Sequence, residues 1–361
     1  MNFDFEKFKK IIVTGGAGFI GKHLIKKLLE ETTSTIFNID KLGYASDHKL
    51  IDLFLENNPK EKRRYFFLEN DLSNHGQIHN SIKHIDPDLV IHLAAESHVD
   101  RSIDNPYSFI QSNILGTFNL LDASFKNWQS LKGNRKKFFR FVHVSTDEVF
   151  GSVEDGGFFN EESNYDPRSP YSASKASSDH LVKSWFHTYN FPIIISNCSN
   201  NFGPWQYPEK LIPTVIMKCL SEENIPIYGN GLNIRDWIYV NDHINALLLL
   251  ISGGRIGERY CIGANQEKTN LCIAEEICLI LDNLKPRRNS YKNLISFVKD
   301  RPGHDKRYSI NSSKISKELG WKPHNLFSES LFKTVNWYIE NKEWCKDVSK
   351  KTNLYLKRQG I

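Results

Sequence analysis

Short apolar runs alternate with amphipathic stretches through the first half of the chain. Strand-length runs are KIIVTG at 10–15, TIFNID at 35–40, YFFLEND at 65–71, LVIHLAA at 89–95, FRFVHVS at 139–145 and PIIISN at 192–197. Between them, apolar residues recur at helical spacing over 19–30, 75–85, 108–125 and 172–189. Near-continuous apolar strands separated by helices predict a parallel sheet covered on both faces. Right-handed crossovers then make it a Rossmann-like, doubly wound α/β fold.

Past residue 200 the alternation loosens. Pro204, Pro208, Pro213 and Pro226 punctuate it, and YGNG at 228–231 reads as a turn. WIYV at 237–240 and ERYCIG at 258–263 read as strands, with HINALLLLI as a helix between them. KPRR at 285 and DRPGHD at 300 mark loops, and the charged chain from about 340 is helix-prone. We expect a dinucleotide-binding unit over 1–200 with return elements near 235–263. A smaller mixed α/β C-terminal substrate-binding lobe over 201–345 is interleaved with it, followed by a tail over 346–361.

Composition agrees with this division. The 361 residues exceed one minimal domain, and 40% hydrophobic with 25% charged residues is an ordinary globular balance. The net charge of +5 is spread along the chain in short clusters, which suits solvated faces or an anionic small substrate and argues against nucleic acid. The six cysteines, Cys198, Cys219, Cys261, Cys272, Cys278 and Cys345, form no CxxC pair, and the chain has no HExxH. They read as thiols in a reducing compartment, with no metal centre. MNFDFEKFKK lacks an apolar signal core, and ALLLLI at 246–251 is too short to span a bilayer. A soluble cytoplasmic protein, with no membrane partner, is the expectation.

The first strand runs into VTGGAGFIG, which contains Gly16-x-Gly18-x-x-Gly21 and Gly15-x-x-Gly18-x-x-Gly21. Glycines there allow a tight turn and close approach of the backbone to a pyrophosphate, which the following helix N-terminus attracts. Nineteen residues after Gly21, Asp40 ends the second strand. A carboxylate at that point accepts from both ribose hydroxyls and repels a 2′-phosphate, which favours NAD. Asp71, after the third strand, is either an adenine contact or a cap.

Two further patterns carry chemistry. PYSASK at 170–175 places Tyr171 and Lys175 on one face of a helix opening at Pro170. A tyrosine acting as base at neutral pH is ~3 units, or about 4 kcal/mol, from its usual range, and a nearby ammonium can supply much of that. VSTDEVFG at 144–151 sets Thr146, Asp147 and Glu148 at a strand end. Alone, the two acids are either a solvated turn or an acid/base pair in a crevice.

TGGAGFIG, STDE and YSASK together resemble the extended short-chain dehydrogenase/reductase family, and more closely the dTDP-glucose 4,6-dehydratases. The likeness also runs through NIDKLGYAS (38–46), LAAESHVDRSI (93–103), SPYSASKASSDHLV (169–182), NCSNNFGPWQYPEKLIP (197–213), PIYGNGLNIRDWIYVNDH (226–243) and DRPGHDKRYSI (300–310). It spans residue 11 to about 323. The resemblance implies an NAD-dependent hydro-lyase of deoxysugar biosynthesis that oxidises C4 of the hexose, eliminates water across C5–C6 and returns the hydride to C6. Tyr171 would be the C4 base, with Lys175 as its electrostatic partner and Thr146 bonded to O4. Glu148 would be the C5 base and Asp147 the acid for the C6 hydroxyl.

The same resemblance implies that NAD is held by Gly15, Gly18, Phe19, Ile20, Gly21, Asp40, Lys41, Asp71, Leu72, Ala94, Ala95, Ser112, Tyr171, Lys175 and Asn201. The nucleotide sugar would meet His98, Thr146, Asn200, Lys210, Leu211, Pro226, Tyr228, Arg235, Asn270, Arg301 and His304. For His98 a loop histidine satisfied by backbone is the alternative, and for the cations a structural salt bridge. Helices 108–125 and 172–189 resemble a pair that dimerises as a four-helix bundle, or are plain core.

Three positions depart from the family's pattern. Lys22 stands where a small residue is usual, Gly43 where a hydroxyl is usual, and NWQSLKGNRKK at 127–137 reads as a longer basic loop. The other readings open to the sequence are a dehydratase or 4-epimerase of another nucleotide sugar, such as UDP- or CDP-glucose, and a non-catalytic NAD-binding regulator.

Overall fold

The structure, a computed structural model, describes residues 5–154 and 156–353; residues 354–361 of the expected tail lie outside them. Its strands in chain order are β1 (Lys10–Thr14), β2 (Thr35–Asp40), β3 (Tyr65–Glu69), β4 (Leu89–His92), β5 (Arg140–Thr146), β6 (Ile193–Cys198), β7 (Asn200–Phe202), β8 (Ile225–Tyr228), β9 (Ile234–Tyr239), β10 (Arg259–Ile262), β11 (Glu267–Thr269) and β12 (Ile295–Val298). Seven form one parallel sheet in the order β10-β6-β5-β4-β1-β2-β3. The fold is therefore the expected Rossmann-like, doubly wound α/β class.

The central strands β4, β5 and β6 are buried almost throughout, which is why they read as unbroken apolar runs. Helices Phe19–Glu31 and Val240–Gly253 share the apolar core on one face of the sheet. Helices His75–Ile85, Gly116–Ser130 and Pro170–Tyr189 cover the other. The chain leaves β1 in one direction and returns at β4 in the other, so the carboxyl ends of β1 and β4 flank the switch point where α/β sheets bind ligands.

A second core lies beyond residue 200. It is built by helices Leu211–Leu220, Asn270–Leu284 and Phe327–Glu340 around a three-stranded sheet, β11-β9-β7, and a parallel pair, β12-β8. β10 joins the large sheet beside β6, whereas β9 belongs to the small one.

Two segments differ from the sequence expectation. The helix expected over 108–125 is composite: a short turn Pro106–Phe109, a π-helical turn Ile110–Leu115 and the helix Gly116–Ser130. The buried Asn113 sits in the π turn. Its side chain accepts from the Glu96 amide (2.8 Å) and donates to the Glu96 carbonyl (3.0 Å) and Ser174 Oγ (2.8 Å), so the irregular turn clamps the chain after β4 to helix Pro170–Tyr189. The segment 127–137 is not an open basic loop. Helix Gly116–Ser130 continues through Trp128, a short helix Gly133–Phe138 follows, and Trp128 Nε1 donates to the Lys136 carbonyl at 3.1 Å.

Among the described residues no helix is long and apolar enough to cross a membrane.

Candidate active site

One cleft of about 460 Å³ runs across the carboxyl ends of the parallel strands into the second core. Every residue that the sequence singled out for catalysis, cofactor or substrate lines it, from Gly15 to His304. The glycine turn lies at one end. Gly15 has φ +71°, and a Cβ there would stand 2.6 Å from the Ala94 amide nitrogen. A Cβ on Gly21 would stand 2.2 Å from the Gly15 carbonyl oxygen. Helix Phe19–Glu31 opens at Gly18 with no side-chain cap among the described residues, which leaves its first amides toward the cleft.

Asp40 closes β2 at the wall of the cleft. Its carboxylate accepts from the Ala17 amide (3.1 Å), the Leu42 amide (2.8 Å) and Ser46 Oγ (3.3 Å), while burial raises its pKa. Lys41 Nζ lies 3.4 Å from both Glu96 Oε1 and Ser112 Oγ. Asp71 lines the cleft, and its carboxylate accepts from the Ser73 amide at 2.9 Å in the turn before helix His75–Ile85, which Asn74 caps. Amide donors at a helix start and a carboxylate at the end of β2 fit a dinucleotide's diphosphate and adenosine ribose.

Lys22 has a local partner, whereas nothing in the structure explains Gly43. Lys22 is 1% exposed, and its ammonium is held at 2.5 Å by Asp47 on the segment after Gly43. Gly43 has open space where a Cβ would be.

At the middle of the cleft, helix Pro170–Tyr189 starts with Pro170 at its first position and a capping box between Ser169 and Ser172. This fixes Tyr171, Lys175 and Asp179 on the buried face, one turn apart. Lys175 Nζ donates to the Val144 carbonyl at 3.0 Å. Burial lowers its pKa, and the charge of Asp179 is the leading influence in the opposite direction. Tyr171 departs from expectation. Burial, then Glu148 and then Cys198, drive its pKa upward, opposed by a hydrogen bond with Thr146. The lysine ammonium is committed to a carbonyl, so in this state the phenol is held protonated.

β5 ends at Thr146, whose Oγ1 caps the 3₁₀ turn Asp147–Phe150 by accepting from the Glu148 amide at 3.2 Å. In a 3₁₀ turn successive side chains diverge by about 120°. The two neighbouring acids therefore meet different surroundings. Asp147 is 1% exposed, and its Oδ2 has no hydrogen-bond partner among the described residues. Burial, the charge of Glu148 and that of Asp236 push its pKa well up. Glu148 is also raised by burial, but Arg301, Lys210 and Arg235 all pull it back. Both carboxyls are thus raised, Asp147 the more strongly, so of the two it is the one that holds a proton more firmly and Glu148 the one that the cations favour as carboxylate.

The far end of the cleft is cationic. Arg235 is 4% exposed; its guanidinium donates to the carbonyls of Ile234 and Asp305 and lies 4.2 Å over the Tyr308 ring. Arg301 Nη1 is 3.4 Å from Asp100 Oδ1, while its buried Nε has no hydrogen-bond partner among the described residues. Tyr228 donates its hydroxyl to Asp100 Oδ2 at 2.8 Å. Lys210 Nζ donates to the Ser97 carbonyl at 2.7 Å, and His304 Nδ1 lies 2.6 Å from Asp300 Oδ1. Three cations with spare donors suit a diphosphate.

His98 caps helix Val99–Asp104, its Nδ1 accepting from the Arg101 amide at 3.4 Å, and still lines the cleft. Asn200 Oδ1 is buried with no hydrogen-bond partner among the described residues, whereas Asn201 is engaged by the Ser199 carbonyl and His243. Leu211, Pro226 and Asn270 also line the cleft.

Sequence reasoning passed over Tyr44, Asp100, Glu209 and Tyr308, which line the same cleft. The Arg101 guanidinium lies 3.6 Å over the Tyr44 ring, and Asp100 holds both Tyr228 and Arg301. A signal existed: Tyr44, Asp100 and Tyr308 all lie inside stretches already singled out.

Residues 12–334 match the family described as GDP-mannose 4,6 dehydratase. A probable dTDP-glucose 4,6-dehydratase of Sinorhizobium fredii is 49% identical over 93% of this chain and 94% of that protein. The dTDP-glucose 4,6-dehydratase of Salmonella typhimurium is 48% identical over 94% of this chain and 95% of its own. Among solved structures, DesIV from Streptomyces venezuelae, a dTDP-glucose 4,6-dehydratase crystallised with NAD and dTDP, superposes with a TM-score of 0.84 at 37% identity, covering 94% of this chain and 99% of that one.

Proposed function

The chain belongs to the GDP-mannose 4,6 dehydratase family, and from that premise we propose that it is an NAD-dependent dTDP-glucose 4,6-dehydratase, a hydro-lyase of deoxysugar biosynthesis. The observation that carries this reading is the unequal setting of the two buried acids on one 3₁₀ turn, Asp147 beside Asp236 and Glu148 beside Arg301, Lys210 and Arg235. A 4-epimerase has no elimination to perform and no need of an acid beside a base.

NAD, when bound, supplies the hydride acceptor and donor. The residues fitted to hold it are the Gly15–Gly21 turn, Asp40, Lys41, Asp71, Leu72, Ala94, Ala95, Ser112, Tyr171, Lys175 and Asn201. Once ionised, with Lys175 as its electrostatic partner, Tyr171 takes the proton of the sugar's C4 hydroxyl, and Thr146 bonds O4. The resulting ketone acidifies C5–H. Glu148 removes that proton, the C5–C6 double bond forms, and the C6 hydroxyl leaves with the proton of Asp147 as water. Glu148 then returns its proton to C5. Arg235, Arg301 and Lys210 grip the diphosphate while drawing Glu148 toward its ionised form, so one set of cations both binds and tunes. His98, Asn200, Leu211, Pro226, Tyr228, Asn270 and His304 complete the sugar-nucleotide side. In this reading the cofactor unit over 1–200 and the substrate lobe over 201–345 are interleaved at the cleft, His98, Thr146 and Asn200 reaching the sugar nucleotide and Asn201 the cofactor.

The enzyme is further read as a cytoplasmic homodimer. Tyr107, Ile110, Leu115 and Phe118 on the 106–130 segment, and Tyr189 on helix Pro170–Tyr189, are exposed in a single chain. They are large apolar residues on two helices already packed together through Phe118 and Trp185. The six cysteines are free thiols, which supports a reducing compartment.

Incubation of the purified protein with dTDP-, UDP- and CDP-glucose, followed by mass spectrometry, tests the reading. The expected result is loss of one water from dTDP-glucose at a rate well above the other two. Preference for another nucleotide reassigns the substrate, and an isomeric product of unchanged mass rejects dehydration.

A further inference from the structure

Away from the cleft, helix His75–Ile85 carries His75 and His79 one turn apart, and the neighbouring helix Gly116–Ser130 brings Asp122 against them. We propose that His75, His79 and Asp122 form a site for a borderline divalent transition metal such as Zn²⁺, with water completing the shell, and that the ion ties the two helices together. The inference is independent of the dehydratase reading.

The geometry is that of converging ligands. One atom from each residue lies within 4.8 Å of the others. His79 Nε2 is 3.0 Å and His75 Nε2 is 3.7 Å from Asp122 Oδ2. Ligand atoms on a tetrahedral Zn²⁺ with bonds near 2.0–2.1 Å stand about 3.3 Å apart, so these two separations bracket the required one. His79 Nε2 is buried, and its approach to the Asp122 carboxylate at 3.0 Å is too poorly aligned to make a good hydrogen bond. Nitrogen and oxygen are near each other without being aimed at each other, as two ligands of a third atom are. The imidazole rings are 4.1 Å apart, so protonating both would set two like charges side by side. A metal replaces that repulsion with attraction and requires the neutral rings.

One group opposes the ion. Lys126 Nζ lies 2.8 Å from Asp122 Oδ2, but its side chain is 58% exposed and free to swing into solvent. Two imidazoles with one carboxylate favour zinc, copper or nickel over magnesium or calcium. The two helices follow Asp71, Leu72 and Ser112, which line the cleft, so an ion here stiffens the flank of the adenosine end.

The test uses full-length protein stripped with chelator. Zn²⁺ binding is measured by calorimetry and Co²⁺ binding by visible absorption at pH 7.5, with thermal melts confirming that each variant folds. We expect one ion per chain in the unaltered protein, at least about ten-fold weaker binding in Asp122→Asn, and loss in His75→Ala/His79→Ala. Lys126→Ala should bind several-fold tighter, and Zn²⁺ should raise Tm in the unaltered protein but not in the double variant. Absence of binding by the unaltered protein, or identical titrations for it and the double variant, overturns the proposal; the latter would place the ion elsewhere on the chain.

Discussion

Asp179 lies one helical turn beyond Lys175 on the buried face of helix Pro170–Tyr189 and is the strongest influence keeping that lysine charged. Its carboxylate is itself held by His143 Nε2 at 3.0 Å, the Tyr165 hydroxyl at 2.6 Å and Asn197 Nδ2 at 3.2 Å. A lysine lowered by burial depends on such a counter-charge to stay an ammonium at working pH.

Asp179→Asn should therefore let Lys175 lose its proton at lower pH. The alkaline limb of kcat/KM should move to lower pH, while the thermal melt of the variant reports separately the loss of the buried His143–Asp179 pair. A fall in Tm with an unmoved pH profile would reduce Asp179 to a structural role.

Gly21→Ala forces a Cβ to 2.2 Å from the Gly15 carbonyl, between rigid backbones. NAD retention through gel filtration should be lost, and activity should fall unless NAD is supplied in excess. Gly43→Ser adds a side chain into open space beside the same cleft and should leave NAD retention unchanged or improved. Equal damage by both substitutions would show that the cradle is not where the dinucleotide sits.

Burial depresses His243 to about 3 and His23 to about 4, the latter despite its bond to the Pro204 carbonyl. Both folded values lie below the ordinary 6.5, so the unfolded chain binds more protons between the two values. Their contribution to stability is complete above pH 6.5 and declines as pH falls toward 4, by at most about 1.4 kcal/mol per pH unit for each site. Urea midpoints measured from pH 7.5 to 4.5 should fall along this window, and His243→Gln should flatten the slope by up to one proton. A slope left unchanged by His243→Gln would contradict the buried, neutral assignment.

The large sheet was legible because its central strands are buried on both faces and so read as apolar runs, and helix Pro170–Tyr189 because Ser169 and Pro170 announce its start. The parallel pair β8-β12 was not, since Pro226 and Ser296 meet across seventy residues of chain and neither strand has a local pattern of its own. Trp128 shows a different failure: Lys132, Gly133 and Arg135 suggest an open loop, but packing of the indole against Phe125 and Phe191 carries the helix through it. In the site, residue types were readable while their balance was not. The sequence sets Lys175 four places from Tyr171, yet burial and Glu148 dominate the phenol, because the direction of a lysine's last bond depends on the Val144 carbonyl. The unequal surroundings of Asp147 and Glu148 likewise depend on Arg301, Lys210 and Asp236, distant in the chain.

That inequality is the account's central claim, and exchange of the C5 hydrogen in heavy water during turnover of dTDP-glucose tests it directly. Asp147→Asn should still exchange the hydrogen at C5 while losing water at least about a hundred-fold more slowly, because the base remains and the acid is gone. Glu148→Gln should lose both exchange and elimination. Elimination at an unaltered rate in Asp147→Asn, or exchange that persists in Glu148→Gln, would contradict the division of labour between the two acids.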